Sequence, residues 1–490
     1  MNMRNERAVF LAWALALSGC SSDDPAGSQA GGPTNETPAP PPGSAAQRYG
    51  FGPDPAAGVT YQSDVVFVEG GPDAIRSASD DGLTWVLRGT AKGVSDLAPG
   101  KVLYASSRAA GRVLDVRPQG SDVAVTLGPV QLGEVIRNAQ LHLANDVDLA
   151  TIAIQEIPDL PGMRADLPPA SSSKTTQAVK AASLRSANGA SFGLAPLDLP
   201  PPFTEGSKAF SLSDWSGRMD RSSGNVTLHV EHVDEAGLKV LADIGFEFAS
   251  PHLDSDLGLV DGDVGDSELR FRGLRRVTLD LAAGSANGLG DNQHLKFEIP
   301  VSLDAPVIIG GVAMNLNVRF KFLVDTAFSA KDSTLNASGA WTTDGPIGFD
   351  KTSGKVSLQK PTVTVEKSII DSLDGISIGA NGFVFATDIR IMLGLGIPAA
   401  SAGPYGRLTT SVGLTVGSDL GIIKCRQATV VISSGGGVGI SASDTVVSGI
   451  NAILEKLGIP KKVEEDSGKD VVLEEVYNQT FTTPDKAICK

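Results

Sequence analysis

Period-two alternation of apolar and polar residues is the feature that most narrows the fold of this chain. Met314-Asn-Leu-Asn-Val-Arg-Phe-Lys-Phe322 is the clearest run, and Phe383-Val-Phe-Ala-Thr-Asp-Ile-Arg-Ile391 is another. Asn225–Glu231, Gly237–Asp243, Val277–Leu281, His294–Pro300, Thr362–Glu366, Leu408–Val416 and Ala428–Ile432 are further strand-like runs. Successive side chains of a strand point to opposite faces, so alternation means a sheet with one buried and one wetter face, usually antiparallel. Several runs reach about nine residues, beyond the usual mode of about 5–6. The expected fold is mainly β: a small N-terminal β module, then a large antiparallel β domain, either a sandwich or an open barrel-like sheet.

The small module is expected over 49–157, with short runs such as Lys101-Val-Leu-Tyr-Ala105 and Val123-Ala-Val-Thr-Leu127 bounded by turn residues. Leu132–Ala139 reads as a short helix within it. Residues 158–206 are rich in Pro, Ser and Ala and read as a linker with one short helix near Thr175–Leu184. The large domain is expected over 207–490. Within it, 443–457 places Val446, Val447, Ile450, Ile453, Leu454 and Leu457 on one stripe, an amphipathic helix stopped by Gly458 and Pro460. A net charge of −15 argues against nucleic acid as a partner, because phosphates need Lys and Arg. It also argues against a chain lying flat on anionic lipid.

Residues 1–19 combine Arg4 and Arg7 with the apolar stretch Ala8–Leu17, which is shorter than the about 20 residues a membrane span needs and suits an export signal. Leu17-Ser18-Gly19-Cys20 resembles the lipobox of bacterial lipoproteins. The resemblance implies cleavage before Cys20 and acylation of its sulfur, with Ser21 implying sorting to the outer membrane. Residues 20–48 are then a Pro/Gly/Ser tether. The segment LAPGKVLYASSRAAGRVLDVRPQGSDVAVTLGPVQLGEVI resembles β-rich stretches of bacterial surface proteins of unknown role. With Cys20 acylated, Cys425 and Cys489 remain as an even pair in an oxidising compartment, and a disulfide between them is expected. A transmembrane barrel is not expected, since 5% aromatic residues cannot supply two girdles.

Candidate chemistry is sparse. Gly375-Ile-Ser-Ile-Gly379 has the spacing of a nucleophile elbow, but the last histidine is His294, so no base follows the serine. His229-Val-Glu-His232 puts its two histidines on opposite faces of a strand, which does not suit one zinc ion. Ser433-Ser-Gly-Gly-Gly-Val-Gly439 lacks the lysine of a phosphate loop, so no nucleotide is expected. Ser250–Gly273 carries Asp254, Asp256, Asp261, Asp263, Asp266 and Glu268 among glycines, hard oxygen ligands on a turning backbone, and is the candidate for a structural calcium ion. No other cofactor is expected. These readings make the chain a structural or binding component whose partners are the membrane, through the anchor, and an envelope protein or a polysaccharide. A carrier with an apolar cavity and a hydrolase with dispersed carboxylates are the alternatives.

Overall fold

A computed structural model describes residues 41, 44–55, 58–79, 82–149, 153–156, 184–185, 191–192, 208–212, 215–222, 224–233, 238–285, 295–328, 333–375, 380–397, 400–419, 423–442, 451, 455 and 468–484. The lipobox lies outside the described residues. So does the expected helix 443–457 apart from Asn451 and Glu455, both helical, and most of the expected linker.

The alternating runs become two antiparallel sheets. One has seven strands in the order Gly468–Thr483, Ile423–Ala442, Ala400–Asp419, Ala380–Ile397, Val312–Phe328, Leu295–Ile309 and Ala153–Glu156. The other has eleven, its main path running from Lys208–Leu212 through Trp215–Arg221, Asn225–Val233, Leu238–Val260, Asp263–Ser285 and Ser333–Asp344 to Thr362–Lys367. The inward sets of both meet in one hydrophobic core, which holds Val226, Ile244 and Leu279 from the eleven-stranded sheet and Val318, Ile391 and Val430 from the other. Phe246 and Phe320 touch across it with ring centroids 5.4 Å apart. The architecture is a β-sandwich, and its strands reach 23 residues because the alternation continues through stretches that read as turns. Near one end, Ile347–Thr352 comes so close to the seven-stranded sheet that a Cβ on Gly406 would lie 3.0 Å from Gly348 Cα.

The small module is a six-stranded sheet in the order Val65–Phe67, Val102–Ser106, Ala109–Gln119, Asp122–Gly128, Thr84–Arg88 and Ile75–Ala78, the first pair parallel. Its own core surrounds Trp85 and takes in Ile397 and Ala400, the tip of a sandwich hairpin. The expected helix 132–139 is corrected: it spans only Leu132–Val135, and Ile136–Asp146 is a strand. Leu141 and Leu143 alternate with polar neighbours, and the strand joins the ladder of Leu238–Val260 from Asp146↔His252 to Ala139↔Leu259. Ala153–Glu156 likewise joins the seven-stranded sheet, so residues 36–490 hold together as one unit. Within the segment read as tether, the fold already takes in Ser44. Its hydroxyl oxygen accepts from Gln47 N–H and caps the helix Ala45–Tyr49.

Candidate functional site

The acidic run Ser250–Gly273 is the far end of the longest hairpin. Asp261 and Gly262 form its two-residue turn, both at positive φ (52° and 86°), the mirror-image geometry that Asp-Gly favours. On the flanking strands His252, Asp254 and Asp256 face outward while Leu253, Leu257 and Leu259 are buried. The candidate calcium ligands are therefore spread out, five of the six with a partner of their own. Asp254 binds Arg272 and His252, Asp256 lies 2.7 Å from His142 Nδ1, and Asp261 accepts from Arg137 at 2.9 and 3.0 Å. Asp266 accepts from Ser353 N–H at 2.8 Å. Glu268 pairs with Arg270 at 2.7 Å, and burial pushes its carboxyl above the usual range. Asp263 is exposed beside the turn, in register with Val260. Among the described residues no three His, Cys, Asp or Glu side chains gather as a metal centre.

The same outer face carries a second polar row, in register from strand to strand: Arg218, His229, Asp243, Asp280 and Ser338. His229 Nδ1 lies 2.7 Å from Asp243 and its Nε2 lies 3.2 Å from Asp220, which also accepts from Arg218 Nε at 2.9 Å. Burial raises the Asp280 carboxyl, opposed by the nearby Lys367 ammonium. With a carboxylate at each ring nitrogen, His229 has neither nitrogen turned to an outside proton donor. The arrangement holds the ring between two carboxylates carried by the neighbouring strands. His232 faces the opposite way and is buried.

Neither of these rows is as deeply buried as the polar seam where the small module meets the seven-stranded sheet. Arg108, between Val102–Ser106 and Ala109–Gln119, is only 3% exposed. Its guanidinium donates to Gln47 O at 2.8 Å and Arg48 O at 3.1 Å, and across the seam to Asp304 O at 2.9 Å. The Asp304 carboxylate accepts from Asn315 Nδ2 at 2.6 Å and Asn317 Nδ2 at 2.8 Å. Desolvation lowers the arginine's affinity for its proton, and Asp304 counteracts that. One register step along the same face, Arg319, Arg390 and Arg407 stand opposite one another, with Asp388 2.8 Å from Arg407 Nε. Arg390 also lies over the Tyr405 ring at 5.1 Å.

The sequence reading pointed to none of this seam. Its signal was an arginine set between Ser107 and Ala109-Ala110-Gly111, directly after the core strand. Of the Gly375–Gly379 motif, Ile376–Gly379 lie outside the described residues. Gly375 packs so close to Thr334 O that a Cβ there would clash with it. Ser433–Gly439 is part of the strand Ile423–Ala442, not a loop. Cys425 is on that same strand, opposite Gly417, while Cys20 and Cys489 lie outside the described residues.

Two family models match the chain. The one described as Domain of unknown function (DUF8402) covers residues 197–470, and the one described as Domain of unknown function (DUF8403) covers 45–138. The first thus spans most of the sandwich and the second most of the small module. No curated protein and no solved structure matches.

Proposed function

We propose that this chain, which belongs to the family described as Domain of unknown function (DUF8402), is a lipid-anchored outer-membrane protein whose folded part is a structural or binding component of the cell envelope. The observation that carries this reading is Leu17-Ser18-Gly19-Cys20, placed after an export-type apolar run and before a Pro/Gly/Ser segment. Several acyl chains make a stable anchor because each buried CH₂ contributes about 0.8 kcal/mol. A binding role through the outer surface is favoured over a carrier role by the filled interior. Phe246, Phe320, Trp341 and Phe349 occupy the space between the sheets and are almost wholly buried. It is favoured over a hydrolase with dispersed carboxylates by the pairing of the acidic run, where Asp254, Asp256, Asp261 and Glu268 are taken up by Arg272, His142, Arg137 and Arg270. Cys425 and Cys489, the two cysteines left once Cys20 is acylated, form a disulfide in this reading.

The test is intact mass and protease accessibility on whole cells, with wild type beside Cys20→Ala. The expected wild-type mass includes the acyl groups, and that of the variant does not. Digestion on intact cells would direct the search to adhesion or matrix partners, and protection would direct it to partners in envelope assembly. An unacylated wild-type product overturns the anchor.

A further inference from the structure

We propose that the cavity in the polar seam is a binding site for a single water molecule, held as a fixed part of the fold between the small module and the seven-stranded sheet. Ser107, Arg108, Asp304, Asn315, Asn317 and Ser401 line it, and it has room for about one water. Asn315 and Asn317 are 7% and 3% exposed, and both amide nitrogens donate to the same carboxylate oxygen of Asp304. A carboxylate accepts and does not donate, so this contact fixes which way each amide is turned. Both Oδ1 atoms therefore face away from Asp304, and both are buried without a hydrogen-bond partner.

Two unpartnered acceptors on residues that line one cavity require a ligand that donates. An anion offers only further acceptors to the amide oxygens. A cation would sit beside the Arg108 guanidinium, whose like charge opposes it, and the Asp304 carboxylate that also lines the cavity is already engaged by both amide nitrogens. A neutral molecule with two donors and acceptor capacity meets every requirement, and the size of the cavity limits it to water. Water bound there donates to Asn315 Oδ1 and Asn317 Oδ1. It accepts from the Ser107 hydroxyl, whose oxygen already takes the Phe51 N–H at 3.2 Å. Three partners are the usual number for a buried water. The bridge runs from the turn after Val102–Ser106 to the strand Val312–Phe328, parallel to the one Arg108 makes.

The test is a high-resolution crystal structure of the mature chain, from crystals grown in sodium chloride and soaked in rubidium chloride. The expected result is one peak within about 2.7–3.2 Å of both amide oxygens, unchanged by rubidium. An anomalous rubidium peak at that position, or no peak, overturns the proposal. A solution measurement stands beside it: the unfolding midpoint in sodium, potassium and choline chloride at equal ionic strength. Equal midpoints are expected, and a midpoint that rises with one metal cation overturns water in favour of an ion.

Discussion

Replacing Arg108 by methionine tests the seam directly. The substitution keeps an unbranched side chain in place and removes three hydrogen bonds from a charged donor, at 2.8, 3.1 and 2.9 Å. Each such bond contributes about 1.5–3 kcal/mol net, and the carbonyls of Gln47, Arg48 and Asp304 lose that donor in a water-poor site. Against this stands relief from burying a guanidinium, which costs several kcal/mol. Asp304 also loses its countercharge, so the balance falls in the range for removing one partner of a buried pair, about 3–5 kcal/mol of destabilisation. Arg108→Lys keeps the charge without the planar fork and loses less. Urea unfolding followed by tryptophan fluorescence gives both values. Trp85 lies in the small module's core, 5.9 Å from Tyr49, and Trp341 lies in the sandwich core. A loss below about 1 kcal/mol for the methionine variant would refute the account of Arg108 as the clamp of the seam.

Gly406→Ala places a methyl group 3.0 Å from Gly348 Cα and 3.1 Å from Ile347 O, where backbone and not a flexible side chain must give way. A loss of about 1–3 kcal/mol in the same urea assay is expected, as for overpacking generally, and an unchanged midpoint would contradict the close approach. His252 titrates above its ordinary value, chiefly because Asp146 accepts its Nδ1–H at 2.7 Å, with Asp254 adding to the effect. A raised folded-state pKa contributes stability that is fully present below about pH 6.5 and is lost as pH rises through the folded value. An NMR titration of His252 should show a midpoint above 6.5 that falls in Asp146→Asn, and equal midpoints would remove Asp146 as the cause.

Much of the sandwich was legible because half-buried strands announce themselves by alternation. The nine runs named from the sequence all fall on strands of the two sheets, apart from Gly237 and His294, which lie outside the described residues. In the acidic run Asp261-Gly262 is the turn that its residue types announce, but Asp254-Ser-Asp256 is strand, its carboxylates paired with Arg272 and His142. The alternation of His252, Asp254 and Asp256 with Leu253, Ser255 and Leu257 was in fact the stronger signal. The seam was illegible for a different reason. In Met314–Phe322 the polar residues Asn315, Asn317 and Arg319 read as a solvent face, yet Val312–Phe320 is buried on both sides. Alternation reports that two faces differ in polarity and not whether the polar one is wet. The short helix 132–135 shows the same limit at an element's end, since the pairing of Ile136–Asp146 with a strand more than 100 positions away is non-local information.

The clamp and the proposed anchor together make one mechanical prediction. If Cys20 is fixed in the membrane, load on the folded part enters through Ser44–Tyr49. A five-residue helix cannot resist load by itself, because helices this short are unstable in isolation. This one is tied instead to three consecutive residues: Ser106 Oγ–H donates to Tyr49 O at 2.6 Å, Ser107 N–H to Phe51 O at 2.8 Å, and Arg108 to Gln47 O and Arg48 O. Arg108 then carries the connection on to Asp304 in the seven-stranded sheet, so load bypasses the outer strands of the small module. Pulled between residue 44 and the C-terminus in optical tweezers, the wild-type chain should first rupture at a high force with loss of the sandwich and module together. Arg108→Met should add an earlier, weaker event in which the module alone peels away. The same first rupture in both chains would show that the bonds made by Ser106 and Ser107 suffice, and that Arg108 does not carry the load.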